Sequence, residues 1–270
     1  IEFRRQAVQR LMFDHESDIP LSMLKPTSIV NRSLEHPTIE VSGRPASYRV
    51  DNGLLRVSAY DESESALWVG GYNPYGTYDI TFTSSESNAG QAGVEFATPD
   101  NRNRLMILAE FKKNECVAVR WELVVDEEEK QRERVKLRKP VTGPFTLRVQ
   151  MVGARFNVLV AQEGVNRAVG IYEVTKFIDL RRKEHIRTFE FRLLTRLNKG
   201  ESVLIKGARA ALTPGVGQAD LCTVTNKDGS PYLDQGRIWV TMTIRGRHFP
   251  QGVFSMDPSV FDVRLEGVIA

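Results

Sequence analysis

Apolar and polar residues alternate with a period of two over much of this chain, the mark of strands with one buried face. Residues 117–125 place Val117, Val119, Trp121, Leu123 and Val125 on one side. Residues 145–151 do the same with Phe145, Leu147, Val149 and Met151, while Thr146, Arg148 and Gln150 face away. Phe156, Val158 and Val160 follow, so a turn near Val152 to Arg155 closes a hairpin. Further runs are Tyr78, Ile80 and Phe82; Leu105, Ile107, Ala109 and Phe111; Phe189, Phe191 and Leu193; and Val203 and Ile205. Each ribbon needs a second layer to cover its apolar face. Many such strands joined by short turns predict an all-β chain, a sandwich or barrel.

Helical spacing is weak. Phe3, Ala7, Val8, Leu11 and Met12 suit one short helix over residues 3–13, and Pro20 and Pro26 prevent its continuation. Residues 1–45 read as an irregular lead-in, and the region of Tyr172 to Lys176 as a second turn. The mixed charge run from Asp126 to Lys139 reads as a solvated hairpin tip, since such charges are costly in a core. Pro214, Gly215 and Gly217 punctuate a change of character. The boundary predicted there separates residues 46–213 from residues 214–270. In the latter, Ile238, Val240, Met242 and Ile244 alternate with Trp239, Thr241, Thr243 and Arg245, and Phe261, Val263 and Leu265 with Asp262, Arg264 and Glu266. Two or three strands of this kind are too few to stand alone in water.

Composition adds exclusions. At 41% hydrophobic and 26% charged, the chain has the make-up of a folded protein rather than a disordered one. No apolar run approaches the ~20 residues of a membrane-spanning helix. The 37 basic and 34 acidic residues leave a net charge of +3 without a basic arm, so nothing points to nucleic acid. The two cysteines, Cys116 and Cys222, form no CxxC pair, which disfavours a zinc site. They read as small buried residues on strands, with a disulfide as the alternative. The four histidines are scattered, and no GxSxG, Walker or GxGxxG motif occurs.

Residues 47–212 resemble a concanavalin-A-like or laminin-G-like jelly roll. The similarity rests on Tyr48-Arg49-Val50-Asp51-Asn52-Gly53-Leu54-Leu55-Arg56-Val57 as the entry, and on Tyr78 to Phe82, Ala92 to Phe96 and Asp100 to Leu105 as central strands. The pair Phe145 to Val149 and Phe156 to Val160 resembles the late hairpin. Residues 219–270 are similar to the first blade of a five-bladed propeller of the glycoside hydrolase family 43 type. That similarity rests on Ala219-Asp220-Leu221, Asp228-Gly229-Ser230-Pro231-Tyr232 and Arg237 to Thr243, with Leu221 where the family usually has Pro.

These resemblances imply a two-sheet jelly-roll sandwich followed by an antiparallel hairpin or incomplete propeller blade. They imply the N-terminal part of a secreted or periplasmic polysaccharide-degrading enzyme that continues beyond Ala270, with glycan as the partner. The general base of the family's first blade matches Asp220. The family's other carboxylates come from later blades, so the chain alone is expected to be inactive. No cofactor is required, and jelly rolls of this type often hold a structural calcium ion, for which Asp51, Asn52, Asp100 and Asn101 are oxygen ligands of the right kind. Beside this stand two other readings, a stand-alone carbohydrate-binding or adhesion module and a structural buttress. Sugar rings stack on exposed aromatics. The Gly- and Pro-rich stretch with Trp68, Tyr72 and Tyr75 is the candidate platform, with Trp239 as a further substrate contact. The alternative for these rings is packing at the sandwich end or, for Trp239, between the two parts of the chain.

Overall fold

The computed structural model describes residues 17–19, 39–43, 46–51, 54–74, 76–83, 88–152, 154–180, 182–186, 188–212, 218–244 and 251–269. Tyr75, Asn52 and the helix expected over residues 3–13 lie outside the described residues. Numbered along the chain, the first ten strands are β1 (Ser17–Ile19), β2 (Ile39–Gly43), β3 (Ser47–Asp51), β4 (Leu54–Ser58), β5 (Ser63–Gly71), β6 (Gly76–Thr83), β7 (Ala89–Ala97), β8 (Arg104–Lys112), β9 (Glu115–Val125) and β10 (Glu128–Val141). Then come β11 (Pro144–Val152), β12 (Arg155–Gln162), β13 (Val165–Glu173), the one-turn helix α1 (Lys183–Ile186), β14 (Glu190–Leu197), β15 (Ser202–Leu212), β16 (Gln218–Thr223), β17 (Leu233–Asp234), β18 (Arg237–Ile244), β19 (Gln251–Asp257) and β20 (Asp262–Ile269).

The alternation builds a two-layer, antiparallel sandwich. One layer runs β2-β5-β14-β7-β8-β9-β10. The other runs β3-β4-β15-β6-β11-β12-β13, with β1 continuing the β4 side of β15. A single bridge, Ser202 to Ala89, joins the layers, so the fifteen strands form one sheet folded over on itself. Between them lies one large core in which Phe82, Phe96, Phe145, Phe156, Phe191, Tyr78 and Trp121 are fully buried. The rings meet edge-to-face and tilted, as Tyr78 with Phe96 at 4.7 Å and Phe82 with Phe111 at 5.3 Å.

Three local expectations are corrected. The lead-in is not wholly irregular: β1 pairs with β15 and β2 with β5. The charge run is not only a hairpin tip. Its turn is Asp126-Glu127, and the rest is the fourteen-residue β10 at the edge of its layer. Charged side chains suit an edge strand, where they discourage pairing with another chain. The C-terminal part is more than a hairpin: it is a five-stranded sheet, β16-β18-β19-β20 with β17 also on β18.

That small sheet has its own apolar cluster, Val240, Met242, Phe254 and Val263. It joins the outer face of the β6-β11-β12 layer through buried polar groups. The Arg148 guanidinium donates to both oxygens of Asp79, at 2.8 and 2.7 Å, and to Asp262 Oδ1 at 2.8 Å. Gln150 donates to the Val263 carbonyl at 2.8 Å and accepts from the Val263 amide at 3.1 Å, pairing with β20 as a strand would. Arg237 donates to Asp262 Oδ2 at 3.0 Å. Burial alone would raise the Asp262 pKa, but Arg148, Arg264 and Arg237 outweigh it and hold the carboxyl below the usual range. No helix among the described residues is long and apolar enough to cross a membrane.

Candidate functional site

The outer face of the β2–β10 layer carries the side chains that alternation turns away from the core. At its floor Ala66, Met106, Leu108 and Leu194 form a small apolar cluster. Over it lies a chain of alternating guanidinium and carboxylate groups. Arg196 donates to Glu122 at 2.7 Å and to Glu64 at 2.6 Å. Arg104 bonds the other oxygen of Glu64 and Glu95 Oε1, each at 2.6 Å. Arg192 lies 3.7 Å from Glu95 Oε2 and donates to Glu190 at 2.7 Å. The aliphatic stems cover the apolar floor while the heads pair above it.

Several of these pairs skip strands. Glu64 is on β5 and Arg104 on β8, separated by β14 and β7. Three strand spacings amount to about 14 Å across a flat sheet, and the two positions are also offset along the strands. A hydrogen bond of 2.6 Å across that span draws on the twist of the layer and on the reach of two long side chains.

A second cluster flanks the first. Glu110 on β8 accepts from Arg120 at 2.8 Å and from Arg134 at 2.9 and 2.8 Å. The Arg134 hydrogen bond, with Arg120 adding to it against a smaller opposing effect of burial, pulls the Glu110 carboxyl down to about 2. For Glu64, burial acts upward, yet Arg196 and Arg104 leave its pKa lowered. Between the two clusters opens a cleft of about 730 Å³. Gln91 on β7 lines it and sits in register between Arg196 and Glu110. Its Oε1 is buried with no hydrogen-bond partner among the described residues, as is the Oγ of Ser63, another lining residue. Orphaned buried acceptors are uncommon and carry a cost. Glu62, Lys112, Asn198 and Glu201 are among its other lining residues.

The residues singled out in the sequence are dispersed. Tyr72 is a correction: it is buried, with its ring 5.0 Å from Phe96 and 6.1 Å from Phe189, so it offers no surface platform. The loop's aromatic composition does not reveal that this ring turns inward. Trp68 is half-buried on β5, paired with Arg192 in the ladder. Trp239 is half-buried on β18 and meets the exposed Tyr232 edge-to-face at 5.8 Å. Asp220 is exposed on β16 with φ 53°, at a register shift in its pairing with β18.

Of the calcium candidates, Asp100 Oδ1 accepts from Thr98 and from the Arg102 amide, and Asn101 Oδ1 accepts from Arg192 at 2.6 Å. Both oxygens thus serve the β7–β8 turn, while Asp51 ends β3 in the other layer. Among the described residues no group of three or more His, Cys, Asp or Glu is placed to hold a metal. Cys116 is buried and Cys222 exposed, and they are not bonded. The sequence pattern singles out none of the Arg–Glu lattice, because outward charged residues on strands are common and these partners lie up to 132 residues apart.

No family model matches the chain, and no curated protein sequence does. Solved structures are similar to it at low identity. A carbohydrate-binding module, CBM66 of Bacillus subtilis, aligns at 12% identity and a TM-score of 0.46, covering 64% of this chain and 95% of its own. A laminarinase from Flavobacterium sp. UMI-01 aligns at 10% identity and a TM-score of 0.49, covering 73% of this chain and all of its own. The xyloglucan-locus protein GH43B of Bacteroides ovatus aligns at 12% identity and a TM-score of 0.44, covering 66% of this chain and 40% of its own.

Proposed function

We propose that the chain is a non-catalytic glycan-binding module whose site is the cleft on the outer face of the β2–β10 layer. The observation that carries this is the cleft itself, with Gln91 in register between two clusters of arginines and glutamates, each fixed by its own ion pairs. Hydroxyl groups are both donors and acceptors, and a rigid array of carboxylate, amide and guanidinium groups suits them without having to reorganise. Glycoside hydrolysis would need one carboxyl kept protonated near neutral pH. Glu110 and Glu64 are held the other way, as carboxylates, by their arginines.

The test is titration calorimetry against a panel of oligosaccharides, together with a hydrolysis assay on the same panel. Gln91→Ala and Glu110→Ala should each weaken the best ligand about tenfold, a loss near 1.4 kcal/mol. Affinity untouched by both variants, or release of reducing sugar, would sink this reading.

A second reading makes residues 214–270 the opening blade of a propeller in a larger exported polysaccharide-degrading enzyme, with Asp220 as its base. The antiparallel order β16-β18-β19-β20 favours it, being that of a four-stranded blade. Against it, the apolar cluster of this sheet is already covered, with Val240 and Phe254 at 0% exposure. Further four-stranded repeats in the gene product would revive it.

A further inference from the structure

We infer that the cleft takes an acidic saccharide, whose carboxylate or sulfate is held by Arg120 and Lys112 at its β8–β9 end. This rests on the glycan-binding reading and adds the chemical class of the ligand. The cleft crosses the strands in the order β5, β14, β7, β8, β9, which polarises its lining. Glu62, Ser63 and Glu64 stand at the β5 end, and Lys112 and Arg120 at the other. Arg120 gives only its Nε to Glu110, at 2.8 Å, and its terminal nitrogens have no partner among the described residues. That open guanidinium edge offers a fork of parallel N–H groups, the shape that oxyanions accept.

Lys112 stands beside it. It follows Glu110 by one alternation on β8, so both point to the same face, and Glu110 is the group that Arg120 holds. Lys112 is exposed and has no carboxylate partner among the described residues. Glu110 does not cancel this pair. Its Oε2 accepts from Arg120 and Arg134 and its Oε1 from Arg134, which lies opposite Arg120 in the β9–β10 ladder. Lys112, Arg120 and Arg134 thus surround a single carboxylate and leave this end of the cleft positive. Glu115, opposite Lys112 in the ladder, does not line the cleft. The remaining acids are set elsewhere along it. Glu64 is committed to Arg104 and Arg196, Glu201 on the β14–β15 connection accepts from the Asn198 amide at 2.7 Å, and the exposed Glu62 precedes β5. Hydroxyls donate to carboxylates, so Glu62 and Glu201 serve the hydroxyl groups of the same ligand while the cations take its charge.

The experiment titrates matched neutral, uronate and sulfated hexasaccharides into the full chain by calorimetry, in the wild type and in Arg120→Gln, Lys112→Gln and Lys227→Gln. Lys227 is exposed on the β16–β17 connection and outside the cleft, so its variant removes the same charge from a remote place. At least one acidic sugar should bind about tenfold or more tighter than the neutral one, the scale of a charge-assisted hydrogen bond, and the tighter of the two names the acid group. Added salt should shrink that advantage. Lys112→Gln should reduce it about threefold, the range of one exposed charge interaction, Arg120→Gln should abolish it, and Lys227→Gln should leave it intact. Only the ratio of acidic to neutral affinity is read, because Arg120→Gln also gives up its bond to Glu110. Thermal unfolding checks each variant, and the unpartnered Lys112 keeps the test decisive if Arg120→Gln fails to fold. Acidic sugars bound no tighter than the neutral one would overturn the inference while leaving glycan binding in place. So would an advantage that Lys112→Gln leaves unchanged, or one that Lys227→Gln lowers as much. Binding of none of the three, nor of any sugar in the wider panel, would remove the glycan reading and this inference together.

Discussion

Gly93 has no room for a side chain. A Cβ there would stand 2.1 Å from the Ile107 carbonyl oxygen and 2.9 Å from the Leu108 Cα, both backbone atoms of the neighbouring strand. Gly93 pairs with Leu194 on one side and Leu108 on the other, beneath the Arg–Glu lattice. Gly93→Ala should therefore cost about 2–3 kcal/mol, the scale of overpacking that the backbone must absorb, read as a lower urea midpoint. It should also weaken glycan binding by spreading β7 from β8 under the cleft. Glu110 supplies the pH signature at this scale. Its pKa falls from 4.5 to about 2 on folding, so its ion pairs stabilise fully above 4.5 and that contribution disappears as pH drops toward 2. Glu110→Gln should flatten the part of the acid-stability curve that lies between those values, as measured by urea titrations at a series of pH values.

At the scale of elements, β9 and β10 show what alternation can and cannot tell. The apolar face of β9 is plain in the sequence because Val119, Trp121, Leu123 and Val125 all reach the core. β10 is not, because as an edge strand most of its residues meet water and few apolar ones mark an inner face. Trp121 ties the two layers together: its ring stacks on Tyr172 of β13 at 4.3 Å, and its Nε1 donates to Gln131 of β10 at 3.3 Å. Trp121→Ala should cost about 3–5 kcal/mol, seen as a large fall in the thermal midpoint, with near-ultraviolet dichroism reporting loss of the stacked pair. The cleft is illegible for a different reason. Its partners come together only when six strands of one layer are in register, and no local pattern encodes pairs such as Glu64 with Arg196. Tyr72 escapes a sequence reading because composition marks an aromatic loop but not the direction its rings take.

For the whole molecule, the question is how the small sheet stays attached. Asp262 is the hinge of that contact, fully buried and shared by Arg148, Arg237 and Arg264. Removing one partner of a buried ion pair typically costs about 3–5 kcal/mol, because the other charges are left without compensation. Asp262→Asn should accordingly loosen β18 to β20 ahead of the sandwich, visible as faster amide exchange confined to those strands. Acid should act in the same direction: a carboxyl held below 3.8 contributes stability above that value and loses it as pH falls past its depressed pKa. The first strands carry a different consequence. β2 borders β5 at the rim of one layer, and β1 borders β15 in the other. Trimming the chain to begin at Ala46 would strip both rims at once, leaving bare backbone amides and carbonyls ready to recruit a neighbour. Such a shortened protein should self-associate in light scattering at concentrations where the intact one stays dispersed, so the unpromising opening of the sequence works as a bumper on the finished molecule.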